Sequence, residues 1–345
     1  MGRMSDIAAV QERYARFARV EAPHRSPLYA RWAAGVAGDP RSAGILARIP
    51  PEHRQPPLVF AVTRMLGSGL VAYPAWAAWL DAHADAVVAE CRARGVQTNE
   101  PLRCAAMLPA LAAIPGPLAV IEVGASAGLC LYPDRYSYRY RSDDGVVAID
   151  PVDGRSRVVL AAQWRGPAPR LRMPDIIWRA GIDLQPRDAR EAADRAWLTG
   201  LVWPGEDGRA ARVEAALDVA AADPPLLVAG DAATALPELA ARAPRGATLV
   251  VTTPGVLAHV PRARRERIAA TARGLGRWVT LDAPGLHAAV AGAWAPQAAA
   301  GEWPNGAFAL AVDGRVMAAV DPLGAIVRPI GADWEWHPGS APSRQ

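Results

Sequence analysis

The sequence predicts an α/β protein: a doubly wound sheet of five parallel strands with a terminal antiparallel hairpin, preceded by a helical N-terminal cap. Three observations carry this prediction. Helical spacing without strand alternation fills roughly the first 115 residues. From Leu118 onward, short aliphatic runs recur between helical stretches. Near the end, Asp313-Gly314 joins two apolar runs and gives a hairpin signal.

Within the cap region, residues 1–115, helices are expected over 5–20 and 26–37, the second with Ser26 as N-cap and Pro27 at its first position. Pro50, Pro51, Pro56 and Pro57 break the chain before an apolar helix around 58–71. Residues 75–94 read as one long amphipathic helix stopped by Gly95. Gln97-Thr98-Asn99-Glu100-Pro101 is a start signal for a helix over 101–113. The cap is expected to pack on the following domain rather than to hinge from it.

The second domain is expected over 116–330. Leu118 to Ile121 is the first parallel strand, with Glu122 at its carboxyl end. Gly124, Ala125, Ser126, Ala127 and Gly128 form a turn of little side-chain bulk that opens a helix. Tyr136, Tyr138 and Tyr140 then alternate, which predicts an antiparallel hairpin inserted near 132–165. The second strand lies within 175–188 and ends in Asp183; the third, 226–232, ends in Gly230-Asp231-Ala232. A fourth spans 248–253, before a helix starting near Pro261, and a fifth lies within 277–284. The hairpin occupies 306–321, and 331–345 is a tail in which Trp334 and Trp336 dock ahead of a disordered end.

Composition narrows the function classes. Of the 345 residues 51% are hydrophobic, yet no stretch of roughly 18 uninterrupted apolar residues suggests a membrane span. The first residues lack a secretory apolar core, and Cys91, Cys104 and Cys130 show no paired spacing, so a reducing cytoplasm is expected. No His or Cys spacing suggests a metal. The formal charge of +4 is carried entirely by Arg. Arg262, Arg264, Arg265 and Arg267, with Glu266 among them, read as a solvated helix face, which disfavours a nucleic-acid partner. Oligomeric state is left open.

A strand, an acid, a glycine turn and a helix form the unit at which open α/β sheets bind nucleotides. A phosphate loop would need a Lys after Gly128, and the chain has no Lys. The dinucleotide pattern G-x-G-x-x-G is also missing, because Ser126 and Leu129 stand at its second and third glycines. What remains, Glu122-x-Gly124-x-x-x-Gly128, resembles the first motif of class I S-adenosylmethionine-dependent methyltransferases, [D/E]-x-G-x-G-x-G. The order of elements is similar to theirs over roughly 118–322, a Rossmann-like sheet.

That resemblance implies S-adenosylmethionine as cofactor. Glu122 would hold its amino group, and Gly124, Ser126 and Gly128 would carry its aminoacyl arm, with Ser126 departing from the family's middle glycine. Asp183 would meet the ribose, with Asp150 as competitor, and Asp231-Ala232 the adenine. A closer similarity spans nearly the entire chain. TNEPLRCAAMLPAL, IEVGASAGL, RAGIDLQPRD, GLVWPG and GDAATALP resemble a family of uncharacterised actinobacterial proteins with a domain of unknown function. That family keeps the helix before the first motif, which implies that Asn99, Glu100 and Arg103 reach the ligand or substrate; plain capping and a surface Arg is the alternative.

Two functional classes follow: a methyltransferase acting on a small-molecule acceptor, or a non-catalytic relative that binds a nucleoside or nothing. His259, beyond the fourth strand, and His287, after the fifth, are the candidate general bases, each with a structural role as the alternative. Tyr136 either lines the acceptor pocket or packs in the core with Tyr138 and Tyr140. A Thr252-Thr253-Pro254-Gly255 segment stands where enzymes that methylate DNA amines carry [D/N]-P-P-[Y/F], which argues against such substrates.

Overall fold

Prolines set the starts of the N-terminal helices. In the computed structural model, which describes residues 2–97, 100–299 and 303–330, six helices open the chain. They are α1 (Gly2–Val20), α2 (Pro27–Gly38), α3 (Pro40–Leu46), α4 (Pro56–Met65), α5 (Tyr73–Ala82) and α6 (Ala84–Ala93). Pro stands in the first turn of α2, α3, α4 and α5, where a missing N–H costs no helical bond. Ser26 caps α2, its hydroxyl accepting the Tyr29 N–H at 3.3 Å. Two helices differ from their periodicity. α4 ends at Met65, and Gly67 and Gly69 follow at φ 101° and 70°. The helix expected over 75–94 is broken at His83, whose ring stacks on Trp79 and whose Nδ1 meets the Trp79 carbonyl at 2.8 Å.

The chain continues through α7 (Arg103–Ala112), β1 (Leu118–Val123), β2 (Ser137–Ser142), β3 (Gly145–Ile149), β4 (Val159–Trp164) and β5 (Ile176–Asp183). Then come α8 (Ala192–Gly200), α9 (Arg209–Ala222), β6 (Leu226–Ala229), α10 (Ala232–Ala240), β7 (Thr248–Pro254) and α11 (Arg262–Leu275). β8 (Arg277–Asp282), α12 (Ala288–Ala299), β9 (Phe308–Val312), β10 (Arg315–Val320) and β11 (Ile326–Pro329) complete it. Two compact units result: Met1–Thr98 with Ala192–Glu214, and Asn99–Glu191 with Ala215–Gln345.

The first unit is helical around an aromatic core. Phe17, Tyr29, Trp32, Phe60, Trp76 and Trp203 are each within ring contact of another member. Trp203 explains why a segment distant in sequence belongs here: it packs on Phe17 and Tyr29, and the Arg25 guanidinium lies 3.7 Å from its ring centroid. Arg64 Nη1 donates to Tyr29 Oη and to the carbonyls of Gly200 and Val202.

The second unit holds one sheet of eleven strands, in the order β3-β2-β4-β11-β10-β9-β8-β7-β1-β5-β6. The sheet is thus larger than the expected five parallel strands plus a hairpin. β6, β5, β1, β7 and β8 are parallel neighbours, and β9 and β10 follow as antiparallel strands. The sheet then continues through β11, β4, β2 and β3, because the tyrosine hairpin joins the same sheet rather than standing as an insertion.

One face of the parallel strands packs on α10, α11 and α12, with Ile121, Val123, Ile182, Val251 and Trp278 in that core. Alternation turns Glu122 to the other face. On that face α7 lies against β4, β8 and β9, and all ten of its residues are buried. A helix apolar on every side belongs inside. Pro109 within α7 has no N–H for the Ala105 carbonyl four residues back. Tyr140 Oη supplies the missing donor, at 2.7 Å.

Candidate functional site

In the sheet β1 lies between β5 and β7, all three parallel, with later strands of the chain on both of its sides, and ligand crevices form outside the carboxyl ends of strands at such a switch point. Glu122 stands there, 4% exposed, level with Gly181 of β5 and Thr252 of β7. Its Oε2 is buried without a hydrogen-bond partner. Burial holds its carboxyl well above the usual range; the nearby Cys130 thiol and Asp183 push the same way, while Arg103 opposes them.

The turn after β1 is shaped by β5. Gly124 and Ala125 N–H both donate to the Ile182 carbonyl, at 2.8 and 3.2 Å. Ser126, in the left-handed region at φ 50°, donates its N–H to Asp183 Oδ2 at 2.8 Å. Gly128 N–H returns to the Ala125 carbonyl at 2.6 Å. The helix expected after the turn is absent: short 3-10 segments at Leu129–Leu131 and Pro133–Arg135 lead into β2. These amides are therefore used within the protein, and no α-helix dipole adds to them. A phosphate cradle is not built here; buried carboxylates are, and they suit a cationic or hydrogen-bond-donating group.

Packing accounts for the glycines. A Cβ on Gly124 would run into the Val256 side chain, and one on Gly181 into Ala125. Gly255, at φ 74°, lies under the Arg103 guanidinium, whose Nη2 would be 2.6 Å from an added Cβ.

Arg103 is 7% exposed and is no surface residue. Its Nη1 donates to the Pro254 carbonyl at 2.8 Å and its Nε to the Pro322 carbonyl at 3.1 Å. Glu100, fully buried, accepts the Leu102 N–H through Oε1 at 2.9 Å. Asn99 lies outside the described residues, as do Trp334 and Trp336.

Asp183 Oδ1 accepts the Gln185 N–H at 2.8 Å, so both of its oxygens hold backbone. Asp231 caps α10 through the Ala233 N–H at 3.0 Å and meets Arg264 at 3.4 Å. Ala232, 7% exposed, starts that helix. His259 is exposed past the end of β7. His287 is 7% exposed, edge-on to Trp278, with Nε2 3.0 Å from Glu266; burial lowers its pKa. Tyr136 is fully buried and donates to the Leu129 carbonyl at 2.8 Å. Asp150 pairs with Arg139 beside β3, at the opposite edge of the strand order from β6.

Asp282, at the carboxyl end of β8, is a residue the sequence reading passed over. It is 3% exposed and accepts the Leu257 N–H at 2.7 Å and the Ala283 N–H at 3.0 Å. Burial raises its pKa, against the backbone hydrogen bonds and the charges of Arg103 and His259. Its signal was present: an acid closing an aliphatic strand, as Glu122 and Asp183 do.

No curated protein and no solved structure matches the chain. A family model described as "Uncharacterized protein conserved in bacteria (DUF2332)" matches residues 11–318, which take in the helices α2 to α6, Arg103, the Glu122 turn, Asp183 and Asp282. The chain belongs to that bacterial family, DUF2332.

Proposed function

We propose that the chain binds S-adenosylmethionine at the Glu122 turn and transfers its methyl group to a small-molecule acceptor. The observation that carries this reading is the buried Glu122 carboxylate at the switch point, one oxygen of which has no partner. An ammonium group placed against it would restore the ionised form and satisfy that oxygen. The lack of a phosphate cradle argues against a dinucleotide in the same place. Leu184, 75% exposed directly after Asp183, offers an apolar surface for a flat base.

Bound S-adenosylmethionine would supply an electrophilic methyl group on sulfur. The chain's part would be to hold the acceptor in line, exclude water and accept a proton where the acceptor carries one. His259 is the candidate for the last task, because it is exposed and close enough to Asp282 for their charges to interact. His287, packed between Trp278 and Glu266, fits a structural role better.

A second reading, a methyltransferase-like chain without transfer, is favoured by a separate observation. Val256 fills the space beside Gly124, and Asp183 is occupied by the Ser126 and Gln185 amides. Calorimetric titration with S-adenosylmethionine and S-adenosylhomocysteine tests the binding on which the first reading depends. Saturable binding that Glu122→Gln weakens about tenfold or more is expected, the loss of one charged hydrogen bond. Absence of binding at millimolar ligand sinks the methyltransferase reading. Binding that survives in His259→Ala, with transfer lost, would assign the proton acceptor.

A further inference from the structure

The second unit carries a cleft of about 200 Å³ away from the Glu122 turn, between the end of β10, β11 and the segment entering β9. Its walls include Arg165, Asn305, Asp321 and Arg328, with apolar Val320 and Ile326. β4 and β11 run parallel, with Gln163 level with Ile326 and Trp164 with Val327. Arg165 N–H donates to the Val327 carbonyl at 2.9 Å, so the next pair in register is Arg165 and Arg328. Neighbouring strands lie about 4.8 Å apart, and residues level with each other project to the same side.

Two guanidinium groups thus face one cleft from adjacent strands. Like charges directly opposite across a sheet are destabilising. Three strand arginines are neutralised by a carboxylate, Arg139 by Asp150, Arg179 by Asp134 and Arg277 by Asp313. Arg165 and Arg328 have neither an ion pair nor a side-chain hydrogen bond among the described residues. The one carboxylate in the wall, Asp321, accepts the Leu323 N–H at 2.9 Å and the Ala325 N–H at 3.3 Å through Oδ1.

We propose that the cleft between β10, β11 and β4 is a binding site for a small phosphate-bearing anion, held by Arg165 and Arg328 as paired forks. A tetrahedral oxyanion between the two guanidinium groups converts their repulsion into charge-assisted hydrogen bonds. Asn305 adds an amide donor at the rim. The apolar wall leaves room for a short organic substituent on the phosphate.

The test uses the full chain and inorganic phosphate at low ionic strength, with sodium chloride at matched ionic strength as control. Saturable one-to-one binding by calorimetry and a rise in melting temperature are expected with phosphate and not with chloride. Arg165→Gln and Arg328→Gln should each weaken binding about tenfold, and the double variant should abolish it. Both side chains are exposed and each variant removes one of two facing like charges, so each should fold and melt at or slightly above the parent when phosphate is absent. Arg328→Lys keeps the charge without the fork and should bind with intermediate affinity. The proposal is overturned if the parent shows no saturable phosphate binding, if chloride reproduces the shift, or if the double variant binds as the parent does. Succinate in place of phosphate distinguishes the anion: equal affinity would overturn the assignment to phosphate.

Discussion

At the residue scale, Glu122 has a consequence for stability that needs no ligand. Its buried carboxyl keeps its proton at a pH where the unfolded chain, with the ordinary value of 4.5, has lost it. Between those two values rising pH favours the unfolded state, so stability is full below the ordinary value and falls as pH climbs towards the folded one. Glu122→Gln has no proton to lose. The variant should melt close to the parent at about pH 4 and above it at pH 7 to 8, the gap opening with pH. A constant gap across that range would show that Glu122 is ionised in the folded chain. The same logic gives a binding signature: an ammonium group on Glu122 should release a proton, and the apparent binding enthalpy should then change with the ionisation enthalpy of the buffer. A buffer-independent enthalpy would mean that the carboxylate carries its charge before the ligand arrives.

At the scale of elements, α7 shows how one residue type makes another necessary. Pro109 leaves the Ala105 carbonyl without its helical donor, in a helix with no water on any side. Tyr140 of β2 fills that vacancy from a different part of the sheet. Tyr140→Phe should destabilise the protein by about 1–3 kcal/mol in urea unfolding, the penalty of an unpaired buried acceptor. In a Pro109→Ala background the new N–H takes the carbonyl, so the same change should lose less. Additive effects in that double-mutant cycle would refute the coupling. Tyr136 and Tyr138 repeat the pattern on the Leu129 and Pro133 carbonyls, which explains why the alternating tyrosines face inward.

These pairings also mark what the sequence could carry. The central strand β1 was legible because it is buried on both faces and reads as an unbroken aliphatic run from Leu118 to Ile121. The end-of-strand acids were legible for the same reason: a charge closing an apolar run stands out. The extension through β11, β4, β2 and β3 was not, because partner and register are set by contacts distant in sequence. The missing helix after Gly128 is a case of tertiary structure overriding local signal. Leu129, Cys130 and Leu131 are buried in 3-10 geometry, and the Tyr136 hydroxyl takes the Leu129 carbonyl. Arg103 was readable as a residue but not as a buried one, since its carbonyl partners at Pro254 and Pro322 lie far along the chain.

At the scale of the whole molecule, the chain builds its first unit from two separated stretches. Residues 1–98 supply six helices, and 192–214 return to complete the unit. What the return brings is specific. Trp203 closes the aromatic core on Phe17 and Tyr29, and Trp197 lies under the Arg94 guanidinium at 4.6 Å. Glu206 joins Arg25 at 2.6 Å and Arg209 at 2.5 Å. Arg64, with three acceptors in the intact unit, would keep only Tyr29 Oη without the returning segment. Burying an indole contributes several kcal/mol, comparable with the net stability of a small domain. A fragment of residues 1–98 should therefore lack a cooperative melt and bind a hydrophobic dye, despite helical circular dichroism. Joining 192–214 to that fragment through a flexible linker should restore cooperative unfolding, and Trp203→Ala in the joined form should remove it again. A cooperative transition in residues 1–98 alone would show that the six helices suffice and that the return of the chain adds stability without defining the fold.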